Sequence, residues 1–295
     1  MGLHMGHVAL EVEDLDVYID HVTRTLGLKV LERAEDGALL GLPGRRYELQ
    51  LIRGPAPAFS HVGLCVETEP ELHDVLGRAL GAGAEIISPP ASSADSRLSV
   101  MITDPVGIAY ELYVPSRPLT VALGLHLDDH LRRLGHLNFA SSSADALAAF
   151  WGDGLGFRVS DQFDGITWMR CDSYHHSFAV MPHRETTVLH HHAWEAQDMA
   201  ALAKHCDRNG LEGRAQMCGP VRHGPGFNIA TYMPDAAGAL IEVYTDLLTI
   251  EEDASYVPSD WSNEPGALNL WGPPPGDDLL AAGIPLAASK RTARA

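Results

Sequence analysis

Three residues in the second half of this 295-residue sequence stand where they could act together. They are His136 in Gly135-His136-Leu137, a histidine of the run His190-His191-His192, and Glu242 inside the apolar run Ala239-Leu240-Ile241-Glu242-Val243-Tyr244. A carboxylate within an apolar strand is costly unless it is paired or bound to a metal. Two neutral imidazoles and one carboxylate on a single face leave coordination positions open, an arrangement that suits non-haem Fe(II). Taken singly, each histidine reads more simply as a hydrogen-bonded core or surface residue. The set gains weight because it occurs twice: the first half carries His7, His61 and Glu111 in corresponding places.

Those residues need strands to hold them, and the sequence supplies the same elements in each half. Gly6-His7-Val8 and Gly135-His136-Leu137 open two predicted strands 129 positions apart, leading into predicted helices at Leu15–Thr25 and Ala144–Trp151. The serine run at 141–143 is placed to cap the second helix. Leu26-Gly27-Leu28 and Leu155-Gly156-Phe157 follow, their glycines suited to the positive φ of a helix C-terminus. Thr103-Asp104-Pro105-Val106-Gly107 matches Pro234-Asp235-Ala236-Ala237-Gly238 at an offset of 131. Phe227–Met233 and Ala239–Tyr244 read as two arms of a hairpin, so Tyr232 and Glu242 can share a pocket. A repeat of this length means two copies of one α+β module, spanning 1–118 and 131–249 with a boundary in Pro115–His130. A Pro/Gly/Asp-rich tail, 250–295, follows, with Trp261 and Trp271 as expected anchors and a frayed end from 287.

Composition narrows the function classes. Hydrophobic content of 45% and charged content of 20% fit a globular enzyme. A formal net charge of −18 argues against nucleic acid or anionic membrane as partner. No apolar run reaches the ~20 residues of a membrane helix, and the N-terminus lacks the regions of a signal peptide. Four scattered cysteines fit reduced thiols in a cytoplasm. Gly-x-Ser-x-Gly, Walker and dinucleotide motifs are absent.

With these phrases in place, the chain resembles the type I extradiol ring-cleaving dioxygenases, the catechol 2,3-dioxygenase group of the vicinal oxygen chelate superfamily. The likeness spans about residues 5–275 and is strongest from Gly135 to Asp246. It implies two tandem vicinal oxygen chelate modules, each of paired βαβββ units, in a homo-oligomer. It implies Fe(II), or Mn(II), held by His136, His191 and Glu242, with His191 selected by Leu189-His190-His191 and the later Cys206-Asp207-Arg208-Asn209-Gly210. Strand alternation alone does not select it, since it sets His190 and His192 together on the other face. The flanking pair is expected in support of the site or at the surface.

The resemblance further assigns His176, in His176-Ser177-Phe178-Ala179, to acid–base work, and His223 and Tyr232 to substrate contact. The implied substrates are a catechol and O₂, the product a muconic semialdehyde-type compound, and the context aromatic catabolism. Cys218 falls where an arginine receives an acidic side chain in homoprotocatechuate enzymes, so a neutral or apolar ring substituent is expected. Trp168, Phe178, Trp194 and Phe227 are expected to line the pocket. In the first module, the places of His176, His223 and Tyr232 fall near Leu49, Ser92 or Ser93, and Met101 or Ile102, which implies a remnant without catalytic metal. Two alternatives share the superfamily: a glyoxalase-like isomerase or lyase, and a non-enzymatic small-molecule-binding protein.

Overall fold

The computed structural model describes residues 2–93, 95–116, 131–183 and 185–288. Most of the expected boundary region, and the end of the tail beyond 288, lie outside them. The first half runs β1 (His4–Val12), α1 (Leu15–Leu26), β2 (Lys29–Arg33), β3 (Gly37–Gly41), β4 (Leu49–Arg53), β5 (Ala58–Cys65), α2 (Glu69–Gly81), β6 (Glu85–Ala91), β7 (Ser96–Thr103) and β8 (Ala109–Pro115). The second repeats the order as β9 (Leu131–Ser141), α3 (Ala144–Asp153), β10 (Arg158–Phe163), β11 (Ile166–Arg170), β12 (Phe178–Pro182), β13 (Thr187–Ala196), α4 (Met199–Leu211), β14 (Cys218–Arg222), β15 (Ile229–Pro234) and β16 (Leu240–Thr245). Each half is therefore two βαβββ units, as expected.

Local chemistry sets the helix ends. Asp14 caps α1 by accepting from the amides of Asp16 and Val17, and Gly27, at φ 78°, turns the chain out. Thr68 and Glu71 form a reciprocal capping box at α2. The serine run behaves differently from expectation. Ser143 sits at the N-cap of α3 without a side-chain cap bond, and the Ser141 hydroxyl instead accepts from the Ser143 amide.

The strands form two sheets, of order β2-β3-β4-β1-β5-β8-β7-β6 and β14-β15-β16-β13-β9-β12-β11-β10. The glycine before each first-strand histidine has a steric reason. A Cβ at Gly135 would lie 1.8 Å from Tyr244 Oη, and one at Gly6 would lie 2.0 Å from Tyr113 Oη. One continuous apolar core joins the halves, with Phe59 edge-on to Phe139 at 5.2 Å and Trp151 fully buried. Each such side chain contributes roughly 1.5–3 kcal/mol by leaving water.

Buried polar pairs also cross between the halves, at related places. Trp151 Nε1 donates to Tyr110 Oη (2.8 Å), which donates to Asp104 (2.8 Å). Tyr18 Oη donates to Asp235 Oδ2 at 2.7 Å, and the Nε2 atoms of His21 and His192 lie 3.5 and 3.7 Å from that carboxylate.

The tail returns across the second sheet. β17 (Ser259–Asp260) adds to β10, and after α5 (Asp277–Leu280), β18 (Ile284–Pro285) pairs antiparallel to β13. Leu286 bridges to Phe59 of the first half. Trp261 anchors the tail, donating to Asp161 Oδ2 at 2.8 Å and lying against Phe227. Trp271 does not anchor it and is 58% exposed. No helix among the described residues is long and apolar enough to cross a membrane.

Candidate metal centre

Four adjacent strands of the second sheet bring the predicted residues together. Tyr232 on β15 lies directly opposite Glu242 on β16. Glu242 is level with Ala193 on β13, and Ala193 with His136 on β9. His191 sits two positions along β13, where the pairing with β9 shifts between Leu189 and His191. That bulge leaves His190 as the extra residue and cancels the alternation expected of the histidine run. His190 and His191 both line the cavity, and all three histidines of the run are buried, so none is a surface residue.

His136 Nε2 and His191 Nε2 each lie 3.1 Å from Glu242 Oε2, with all three side chains buried. One donor atom from each residue falls within 4.8 Å of the others. Bonds of about 2.0–2.2 Å to nitrogen and oxygen at roughly right angles give donor separations near 3 Å, so the triad fits a divalent cation. Burial alone would raise the Glu242 pKa, but attraction and hydrogen bonding from His136 hold it well below the usual carboxylate range. Asn228 Nδ2 donates to the other oxygen, Oε1, at 3.1 Å. The His191 pKa is lowered by burial, which leaves a neutral ring able to donate a lone pair. His190 Nδ1 lies 2.7 Å from His191 Nδ1, and His190 Nε2 lies 2.8 Å from the Leu279 carbonyl.

A cavity of about 600 Å³, counted to its open mouth, begins at the triad. His176, His223 and Tyr232 line it together. The His176 ring lies tilted against that of His136, with centroids 4.4 Å apart, and is kept neutral by burial and by the neighbouring His136 and His175. Behind it, His175 Nδ1 lies 3.0 Å from His176 Nδ1, and His175 Nε2 faces Asp161 Oδ2 at 3.1 Å. His223 Nδ1 donates to the Leu268 carbonyl (2.8 Å), so its Nε2, in the neutral ring, accepts from Tyr232 Oη (2.8 Å). Burial, then the Glu242 charge, keeps Tyr232 a phenol.

Residues 4–112 and 133–243 each match the Glyoxalase/Bleomycin resistance protein/Dioxygenase superfamily. The chain belongs to this superfamily. A 3-methylcatechol 2,3-dioxygenase of Pseudomonas putida is 26% identical over 259 residues, which is 81% of this chain and 88% of that protein. Among solved structures, a Mn(II)-bound glyoxalase from Novosphingobium aromaticivorans superposes with a TM-score of 0.88 at 21% identity, covering 98% of this chain and 97% of the other. Homoprotocatechuate 2,3-dioxygenase from Arthrobacter globiformis superposes at 0.85 with 22% identity, covering 100% and 95%. At these identities the superpositions establish the fold.

Within this superfamily member the first module keeps a triad of its own. His7 Nε2 lies 3.2 Å from His61 Nε2 and 3.5 Å from Glu111 Oε2. Strand register gives its neighbours. Val8 pairs with Leu49 as Leu137 pairs with Phe178, so Tyr47, rather than Leu49, occupies the place of His176. Met101 faces Glu111 as Tyr232 faces Glu242, and Ser93 corresponds to His223. The Arg46 guanidinium lies 4.5 Å from the ring centroids of Tyr47 and Tyr113 and, after burial and His61, further depresses the His7 pKa. Here burial pushes Glu111 up, the opposite of Glu242.

Of the four aromatic residues expected at the pocket, only Trp168 lines it. Phe178 and Trp194 are core residues, and Phe227, in a turn before β15 at φ 55°, is 41% exposed. Cys218 lies outside the cavity on β14. The tail supplies Leu268, Pro275, Leu279 and Leu280 instead, and no periodicity marked them. Asn138 also lines the cavity and was findable, two positions from His136 on the same strand face.

Proposed function

We propose that the chain is an Fe(II)-dependent extradiol dioxygenase that opens a catechol ring beside its two hydroxyls with O₂. The observation that carries this is one cavity holding a two-histidine, one-glutamate triad together with His176, His223 and Tyr232. His136, His191 and Glu242 would hold the metal, and the same donors accept Mn(II). When bound, the metal supplies adjacent positions at which a chelated catecholate and O₂ meet.

The chain's own groups handle protons and orientation. Neutral His176 accepts a proton as a catechol hydroxyl ionises and returns one later. The Tyr232 proton is directed at His223, so the phenol oxygen is left to receive a hydrogen bond from a substrate hydroxyl. Ile166, Trp168, Met181, Leu268 and Leu280 surround the remaining space, and neither lysine nor arginine lines it among the described residues. That lining favours a neutral or apolar ring substituent over a carboxylate.

Anaerobic purification with Fe(II), followed by alkyl- and carboxyalkyl-substituted catechols and then air, tests the proposal. A yellow ring-opened product, formed faster from the alkyl series, is expected. Turnover that is indifferent to O₂ points to glyoxalase-like chemistry, and inactivity across the panel at full metal loading refutes the assignment.

A further inference from the structure

We propose that His190 is a positioning residue that fixes the tautomer of its neighbour, so that His191 presents a lone pair rather than an N–H to the metal. The inference rests on the metal reading above, and its observations are hydrogen-bond geometry alone. The Leu279 carbonyl can only accept, so the 2.8 Å contact makes His190 Nε2 the protonated nitrogen. In a neutral imidazole the other nitrogen is then an acceptor. His190 Nδ1 therefore receives the 2.7 Å hydrogen bond, and His191 Nδ1 must donate it. That leaves His191 Nε2 unprotonated, and it is this atom that lies 3.1 Å from Glu242 Oε2. Two electron-rich atoms facing each other in a buried site call for a cation between them.

The arrangement is built by the fold. The bulge in β13 turns both histidines toward one side. The carbonyl at the end of the relay belongs to α5 of the tail, whose Leu279 also walls the cavity. The same Nδ1-to-Nδ1 contact recurs at His175–His176, where the first ring faces Asp161 instead of a carbonyl. In both pairs the first histidine is held from behind and the second meets the site.

A ligand whose far nitrogen donates to a fixed acceptor is oriented and made more basic, and loss of such a partner typically lowers metal affinity about 10–100-fold. His190→Leu removes the acceptor, whereas His190→Asn keeps an oxygen near the Nδ1 position. The expected result is a 10–100-fold rise in the Fe(II) dissociation constant for His190→Leu, measured by chelator competition, with most of the loss restored in His190→Asn. A role in packing alone would weaken both variants alike and overturn the proposal, as would wild-type affinity in His190→Leu.

Should His190→Leu fail to fold, long-range ¹H–¹⁵N correlation on the metal-free wild-type protein reads the tautomers directly. Nε2–H at His190 with Nδ1–H at His191 supports the proposal, and Nε2–H at His191 overturns it. Neither readout uses a catechol, so a failed substrate assignment leaves this test intact. Wild-type protein that binds no metal while showing the expected tautomers would refute the metal reading instead.

Discussion

Replacing Glu242 by glutamine separates a metal ligand from a structural ion pair, because the two predict different outcomes. Glutamine keeps the shape and the hydrogen bond from Asn228 Nδ2 to Oε1, but removes the charge at the oxygen that both imidazoles face at 3.1 Å. Removing one partner from a buried charged pair costs ~3–5 kcal/mol. At ~1.4 kcal/mol per decade, Fe(II) affinity should fall by roughly two to four decades. The metal-free protein should behave otherwise. There the Glu242 oxygen faces the His191 lone pair, and a glutamine N–H turned toward it would satisfy both. Stability should change by no more than about 1 kcal/mol, a shift of about 2–4 °C in Tm for a chain this long. Chelator competition measures the first quantity and thermal melting after exhaustive chelation the second. Affinity within tenfold of wild type, or a metal-free Tm lowered by about 10 °C or more, refutes the reasoning.

His176→Phe should lower kcat by roughly 10²–10⁴-fold while leaving Fe(II) affinity near wild type, because the ring lines the cavity without joining the triad; steady-state turnover beside a metal titration checks this. Metal analysis should find about one iron per chain, unchanged in Glu111→Gln, because Arg46 already places a positive charge beside the first triad and Tyr47 replaces His176; a value near two overturns the prediction. Asp235→Asn should cost ~1.5–3 kcal/mol at neutral pH. Burial alone would raise the Asp235 pKa, but the nearby His192 and His21 rings and the hydrogen bond from Tyr18 hold it far below 3.8. The folded-state pKa is depressed, so this contribution is fully present above about 3.8 and fades as pH falls below that; denaturant midpoints of the two proteins should converge in that acid range.

The sequence made the duplication legible because each half repeats Gly-His, a Leu-Gly phrase and a final-strand glutamate at nearly constant offsets. The triad followed, since a charge in Ala-Leu-Ile-Glu-Val-Tyr needs a reason, and its recurrence at Glu111 gave the comparison. What stayed hidden depends on pairing rather than on pattern. Alternation predicts that His190 and His192 share a face, and it fails because one bulge in β13 adds a residue to one strand. Phe178 and Trp194 carry pocket-like chemistry but lie where the two halves bury their common core. The cavity roof comes from 268–280, where proline, glycine and leucine carry no period to read. Arg46 is invisible as a substitute charge until the fold stacks it between Tyr47 and Tyr113.

The last strand among the described residues joins the second sheet from the tail. Ile284 and Pro285 pair with a strand synthesised long before them, so a large loop must close before that contact forms. Unfastening the tail would therefore take Leu279 and Leu280 from the cavity wall while His136, His191 and Glu242 stay on β9, β13 and β16.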